Sequence, residues 1–368
     1  MKWSGNNQRA FFALLCAGLW NRPVSDLECF PLSKEDWSNV WKCAVRQSVR
    51  GLIYEGMCLL PEQLMPDVQL VIGWTAEIEQ IEQKNLRMNR VLLTIVRLLQ
   101  ENRVSPIVLK GQGVAQFYDR PLLRECGDID LYFASPEEEQ LVIKWLRDQK
   151  VDVVKEPDGT HAYELDGISV EHHNRIFDLY SPSIQDYLSD LVKQEGVTNL
   201  PLNEDADSSI CVLAPKLNLI SLNAHILKHL MGHGIGLRQF CDMARAYHTL
   251  SHAYDGDELA VCYQHCGLQH WSQLLHSLLI KGVGMPQEDL PYVDSSLLSP
   301  DTLIDRVMAE GNFGKYTSAR VHPVHSVWMR KMHTGMAFLE NLRFSLTYAP
   351  REAFGLVGNL FLGNMNHE

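Results

Sequence analysis

Nowhere in the 368 residues is there an apolar run of the ~18 to 20 residues that a membrane-crossing helix requires, so no such span is expected. The nine cysteines are scattered and odd in number, which does not suit the disulfide framework of a secreted protein. Positive charge is in deficit, with 33 Lys and Arg against 45 Asp and Glu, a formal net charge of −12. Broad electrostatic binding of long nucleic acids depends on neutralising phosphates and is therefore not expected, although a local basic groove for a tRNA end stays open. There is no Gly-x-Ser-x-Gly elbow, no Walker-type loop and no dinucleotide fingerprint. Phe313-Gly314-Lys315 lacks the rest of a phosphate loop. Internal repeats and low-complexity tracts are also missing. The N-terminus combines Lys2 and Arg9 with the apolar run Ala10 to Trp20, but the run has the length of a core helix and no small-residue cleavage site follows it. A cytoplasmic protein is the expectation.

What is present is an ordinary globular composition, 46% hydrophobic and 21% charged, long enough for two or three substructures. Residues 1–100 read as helical. Phe11, Leu14, Leu15 and Gly18 recur at helical spacing, as do Val40, Trp41, Ala44 and Val45. Beyond Pro61 and Pro66, a long helix is predicted from about Pro66 to Glu101. Residues 101–200 change character. Ile107-Val108-Leu109 is strand-like, and Ser135-Pro136-Glu137-Glu138-Glu139 is a helix start, with Ser135 as N-cap, proline in the first turn and acids beside it. That helix should run to about Gln149. Val151 to Val154 reads as a strand, Pro157-Asp158-Gly159 as a turn and His161 to Leu165 as a second strand. A tight turn at Asp166-Gly167 then leads into Ile168 to His173. From about residue 180 the pattern returns to helices through 201–368, broken by polar loops near 195–208, 253–257 and 283–302, and it ends in the apolar tail Phe354 to Met365. The expected class is α+β, a small mixed sheet flanked by N- and C-terminal helical regions.

The chemistry gathers at Leu109-Lys110-Gly111-Gln112-Gly113 and, after a helix-sized gap, at Arg124-Glu125-Cys126-Gly127-Asp128-Ile129-Asp130-Leu131. Side chains alternate along a strand, so Asp128 and Asp130 share a face while Ile129 and Leu131 point into the core. Two carboxylates on one edge repel unless a cation or a proton lies between them. Hard oxygen ligands suit Mg²⁺, which commonly also takes substrate phosphate oxygens. A glycine turn entering a helix N-terminus offers backbone N–H groups to such a phosphate.

This arrangement resembles the nucleotidyltransferase superfamily, and within it the bacterial branch carrying Leu-Lys-Gly, then Arg and Asp-Ile-Asp-Leu. It is also similar to the nucleotidyltransferase-like toxins of the AbiEii type. Many superfamily members have Gly-Gly or Gly-Ser where this chain has Gly111-Gln112. The resemblance implies a Mg²⁺- or Mn²⁺-dependent enzyme that moves a nucleoside monophosphate from an NTP to a hydroxyl, with release of pyrophosphate. The acceptor would be a small molecule, a protein side chain or a tRNA end. Asp128 and Asp130 would hold the metal, and Lys110, Gly111, Gln112 and Arg124 would handle the nucleotide. A third carboxylate is implied on a later strand. Glu171 is the candidate, since Ser169, Glu171 and His173 share the strand face opposite Ile168 and Val170. Its alternative is an exposed residue of the hairpin. Asp166 reads as a turn residue.

Several of these positions admit a second reading. Lys110 either neutralises phosphate or extends to solvent from a strand end. Arg124 either clamps phosphate or pairs with Asp128. By the same resemblance Arg238 would hold triphosphate and Asp242 would orient it or a base; otherwise the two form a routine i, i+4 surface pair. His225, His229 and His233 lie at i, i+4 and i+8, but a metalloprotease site would need Glu where Ile226 stands, and Gly232, Gly234 and Gly236 interrupt the helix. They read as core or groove histidines. Cys262, Cys266 and His270 do not follow a standard zinc spacing. The rival to an active enzyme is a weakened nucleotidyltransferase fold serving as a binding module, or a toxin-like enzyme that modifies tRNA.

Overall fold

A computed structural model describes residues 5–156, 159–202, 208–232, 234–292, 298–312 and 341–362. His233, Phe313-Gly314-Lys315, Pro157, Asp158 and the end of the apolar tail at Met365 lie outside them.

The N-terminal third is helical, as its periodicity requires: α1 (Gly5–Trp20), α2 (Lys34–Gln47), α3 (Arg50–Cys58) and α4 (Val68–Glu101). Ser33 caps α2 by accepting from the Asp36 N–H, and Asp67 caps α4 by accepting from the Gln69 N–H, each satisfying a first-turn donor. α1 and α3 cross at backbone contact. A Cβ on Gly18 would stand 1.9 Å from the Leu52 carbonyl oxygen, and one on Gly56 would stand 2.0 Å from that of Leu14.

The sheet has seven strands: β1 (Ile107–Val108), β2 (Ile129–Tyr132), β3 (Val154–Lys155), β4 (His161–Leu165), β5 (Ile168–His173), β6 (Val197–Pro201) and β7 (Ser209–Leu213). Their order is β3-β4-β5-β2-β1-β7-β6, with β2–β5 and β1–β7 parallel and the remaining pairs antiparallel. A single turn, α5 (Gln112–Ala115), follows β1, and α6 (Pro136–Asp148) follows β2 under its Ser135 cap. The α+β class with a mixed sheet is as expected, but two local readings are corrected. The strand foreseen at Val151 to Val154 is confined to Val154–Lys155, because the chain first turns after α6 through Lys150 at φ 64. The stretch read as a polar loop followed by helices holds a hairpin instead, β6 and β7. Its inner strand carries the alternating buried Ile210 and Val212 into the sheet beside β1.

One face of the sheet, with Ile129, Leu131, Val170 and Val212, packs on the C-terminal half of α4 and on Val142, Ile143 and Leu146 of α6. The opposite side joins a larger helical core through Ile107, Leu109 and Leu213. That core contains α1 to α3 together with α7 (Pro182–Glu195), α8 (Pro215–Met231), α9 (Leu237–Leu250), α10 (Gly256–His265), α11 (Gln269–Val283) and α12 (Asp301–Glu310). Two more helices, α13 (Leu342–Tyr348) and α14 (Pro350–Leu362), close the described chain. No helix among the described residues is long and apolar enough to cross a membrane.

Candidate active site

The cleft lies where β2 and β5 face α8 and α9. It is a cavity of about 300 Å³ lined by Lys110, Gly111, Arg124, Asp128, Asp130, Glu171, His173, His225, Lys228, His229, Arg238 and Asp242, among others. Its acids are positioned by the parallel β2–β5 register, which sets Asp130 opposite Glu171 and Tyr132 opposite His173. The pleat then turns Asp130, Glu171 and His173 to one side and Ile129, Leu131 and Val170 to the other. Asp128 stands just before β2, at the mouth of the same cavity.

The glycine turn has a steric origin. Gly111 sits at φ 52, ψ −114, a region that side chains avoid, and a Cβ there would meet the Asp128 carbonyl oxygen at 3.2 Å. The turn is thus pressed against the backbone that bears the first aspartate. α5 is only one turn long, so the anion-attracting terminus expected after Gly111 is minimal. Gln112 is buried, makes a weak contact from its Nε2 to Asn85 Oδ1 at 3.5 Å, and does not line the cavity.

Electrostatically the cleft is a cluster of acids with built-in cations. Asp130 is buried, and desolvation alone would raise its pKa. Lys110, with Nζ 3.6 Å from Oδ1, and His173, whose Nε2 donates to Oδ1 at 2.5 Å, overcome that and hold the carboxyl well below its usual range. Asp128 is pushed the other way, first by the charge of Asp130 and then by burial. It has no ion-pair partner among the described residues. Glu171 is also raised, by burial and then by the charges of Asp128 and Asp130. Burial opposes the Lys110 charge, but Asp130, Asp178, Asp128 and Glu171 outweigh it and keep the ammonium above its ordinary value.

The two arginines differ. Arg124 is buried and spent. Its Nε and Nη2 donate to the two carboxylate oxygens of Asp242 at 2.7 and 2.8 Å, Nη1 reaches Cys126 Sγ at 3.0 Å, and Tyr118 donates to Asp242 from behind at 2.7 Å. Neither the pairing of Arg124 with Asp128 nor the Arg238–Asp242 surface pair is found. Arg238 instead donates from Nη1 to the Glu125 carbonyl oxygen, and its Nε has no hydrogen-bond partner. Arg238 lines the cavity, and among the described residues no carboxylate is in ion-pair contact with it.

Other residues complete the frame that the sequence did not mark. Lys84 donates to the carbonyls of Cys126 and Gly127, and Asn85 to those of Leu122 and Arg124, so α4 pins the segment leading into Asp128. Glu125 accepts from Arg50 of α3. Behind the α8 side of the cavity, half-buried Asp178 accepts from His225 Nδ1 at 2.8 Å and from Lys228 Nζ at 2.6 Å. Burial and then Lys110 lower the His225 pKa to about 4 despite that carboxylate, so the ring is neutral near pH 7. Asp178 is a single acid in a short connection, with no periodicity to single it out. His173, by contrast, was legible as the strand neighbour of Glu171 at i+2.

A family model, that of uncharacterised nucleotidyltransferases, matches residues 33–279, well over half of the chain. The chain belongs to this family. The matched span takes in the whole sheet, the glycine turn and α8 and α9, and therefore every residue named above as lining the cleft. Among curated proteins and among solved structures, none matches the chain. The family implies a divalent metal, and the donor set fits one. Asp128, Asp130 and Glu171 offer hard oxygens on one rim, and the repulsion that leads the rise at Asp128 and adds to burial at Glu171 is what a cation would relieve. Ligand atoms of Asp130, Glu171 and His173 lie within 4.8 Å of one another, close enough for a single ion.

Proposed function

We propose that the protein is a Mg²⁺- or Mn²⁺-dependent nucleotidyltransferase that passes a nucleoside monophosphate from an NTP to a hydroxyl acceptor. The observation that carries this reading is the convergence, in one cavity, of Asp128, Asp130 and Glu171 with Arg238, which is in no carboxylate ion pair among the described residues. Acids alone would mark a metal seat. A guanidinium beside them that no carboxylate neutralises adds a cationic partner for polyphosphate.

In this reading Asp128, Asp130 and Glu171 hold the metal, which when bound would polarise the α-phosphate and neutralise charge on the departing pyrophosphate. Lys110, kept protonated by the surrounding acids, would add its charge to the binding of phosphate at this rim. Arg238 holds the outer phosphates. Gly111 keeps the turn close enough to Asp128 for backbone and nucleotide to meet. The Arg124–Asp242 pair acts behind the site, fixing α9, and with it Arg238, against the segment that precedes β2. His225, held by Asp178, lines the side of the cavity formed by α8.

The test is incubation with each α-labelled NTP and a cell extract. Label is expected in one class of acceptor with the parent protein and not with a paired Asp128→Asn, Asp130→Asn variant. Equal labelling by both proteins would refute the reading. If the acceptor is a tRNA, expression of the parent but not of the variant should arrest growth.

A further inference from the structure

We propose that His173 is itself a metal ligand, adding its Nε2 to the carboxylate oxygens that hold the ion at this rim, and that the site therefore prefers Mn²⁺ to Mg²⁺. The inference rests on the metal-dependent reading above and concerns which residues and which ion. It starts from the strands. Parallel pairing places Asp130 beside Glu171, and the pleat brings His173, two residues on, to the same face. The ring is directed inward: Nε2 lies 2.5 Å from Asp130 Oδ1 and 3.7 Å from Glu171 Oε2, between the two carboxylates that flank the seat. Among the described residues no other group of three His, Cys, Asp or Glu side chains comes within 4.8 Å, and Asp128 is not part of it. An imidazole thus stands beside the Asp130 and Glu171 carboxylates as a further donor.

Two other histidines nearby are engaged elsewhere. His172 points to the opposite face, packed between Phe133 and Tyr163, with Nε2 on the Tyr163 hydroxyl. His225 is held across the cavity by Asp178. Without metal, the His173 N–H···O contact and Lys110 together satisfy Asp130. His173 Nε2 and the Asp130 carboxylate, now in contact with each other, would both be donors to a bound ion. Mg²⁺ favours all-oxygen octahedra and gives up water reluctantly, whereas first-row transition ions accept imidazole beside carboxylate, so of the two ions this donor set favours Mn²⁺ over Mg²⁺.

The measurement is electron spin echo envelope modulation on the Mn²⁺-loaded full chain, without nucleotide, alongside calorimetric titration with Mn²⁺ and Mg²⁺. Modulation from a directly bound ¹⁴N is expected in the parent and in a His225→Gln control, changing to the ¹⁵N pattern on histidine labelling. It should vanish in His173→Gln, with the preference for Mn²⁺ over Mg²⁺ falling by roughly tenfold or more, the lower range for losing a metal-supporting group. Mn²⁺ bound to the parent without nitrogen modulation would overturn the ligand assignment while leaving metal dependence intact. Failure of the parent to bind Mn²⁺ at all would overturn both. The parent spectrum decides the matter even if the His173 variant does not fold.

Discussion

At the scale of single residues, the site depends on a few contacts with measurable consequences. Asp242 is fully enclosed by Arg124, Tyr118 and the body of α9. Burial by itself would raise its pKa, but Arg124 more than offsets that, and the folded value is lowered. A carboxyl lowered in the folded state stabilises the protein above its unfolded pKa of about 4, and that contribution is lost as pH falls through the folded value. Asp242→Asn should therefore lower stability near pH 7 by about 3 to 5 kcal/mol, the range for stranding one half of a buried ion pair. The variant and the parent should converge as pH drops below about 4. Denaturant unfolding at several pH values checks both statements. Gly111 gives a second expectation. At φ 52 and ψ −114 an alanine is strained, and its methyl meets the Asp128 carbonyl. Gly111→Ala should cost roughly 1 to 3 kcal/mol and displace Asp128 from the rim, with label transfer falling more steeply than stability.

At the scale of elements, the extent to which the sequence revealed the fold followed the physics of each signal. α4 and α6 were legible because long 3.6-residue periodicity and the Ser135-Pro136 start are local features. The β4–β5 hairpin was legible from Asp166-Gly167 and strict alternation. The β6–β7 hairpin was not. Val197, Thr198 and Asn199 are exposed, so the outer strand lacks the alternation that marks a half-buried one, and β7 becomes a strand only because β1 waits beside it. The same holds within the site. Asp128, Asp130 and Glu171 could be located from strand parity, but the partner of Arg124 could not, since Asp242 comes from a helix more than a hundred residues away. At this scale the crossing of α1 and α3 makes its own prediction. Gly56→Ala places a methyl 2.0 Å from a carbonyl oxygen on a backbone that cannot yield without moving α1. It should cost about 3 kcal/mol or more, at the upper end for overpacking, and show as a lowered thermal midpoint.

At the scale of the whole molecule, a strongly acidic chain with a charge of −12 builds one cleft in which acids and cations are deliberately mixed. The helical body fixes that cleft from three sides: α3 and α4 grip the segment before β2 through Arg50, Lys84 and Asn85, and α9 does so through Arg238 and Asp242. The helical flanks, which carried no readable chemistry in the sequence, thus act as the mount for the aspartates. Everything proposed for this protein requires that a metal and a nucleotide meet at that mount. Isothermal titration of the parent with each NTP, in the presence and absence of Mn²⁺ or Mg²⁺, tests this most directly. Binding of at least one NTP that requires the metal, and that disappears in the Asp128→Asn, Asp130→Asn variant, is the predicted result; binding that is indifferent to both metal and aspartates, or no binding of any NTP, would contradict the account.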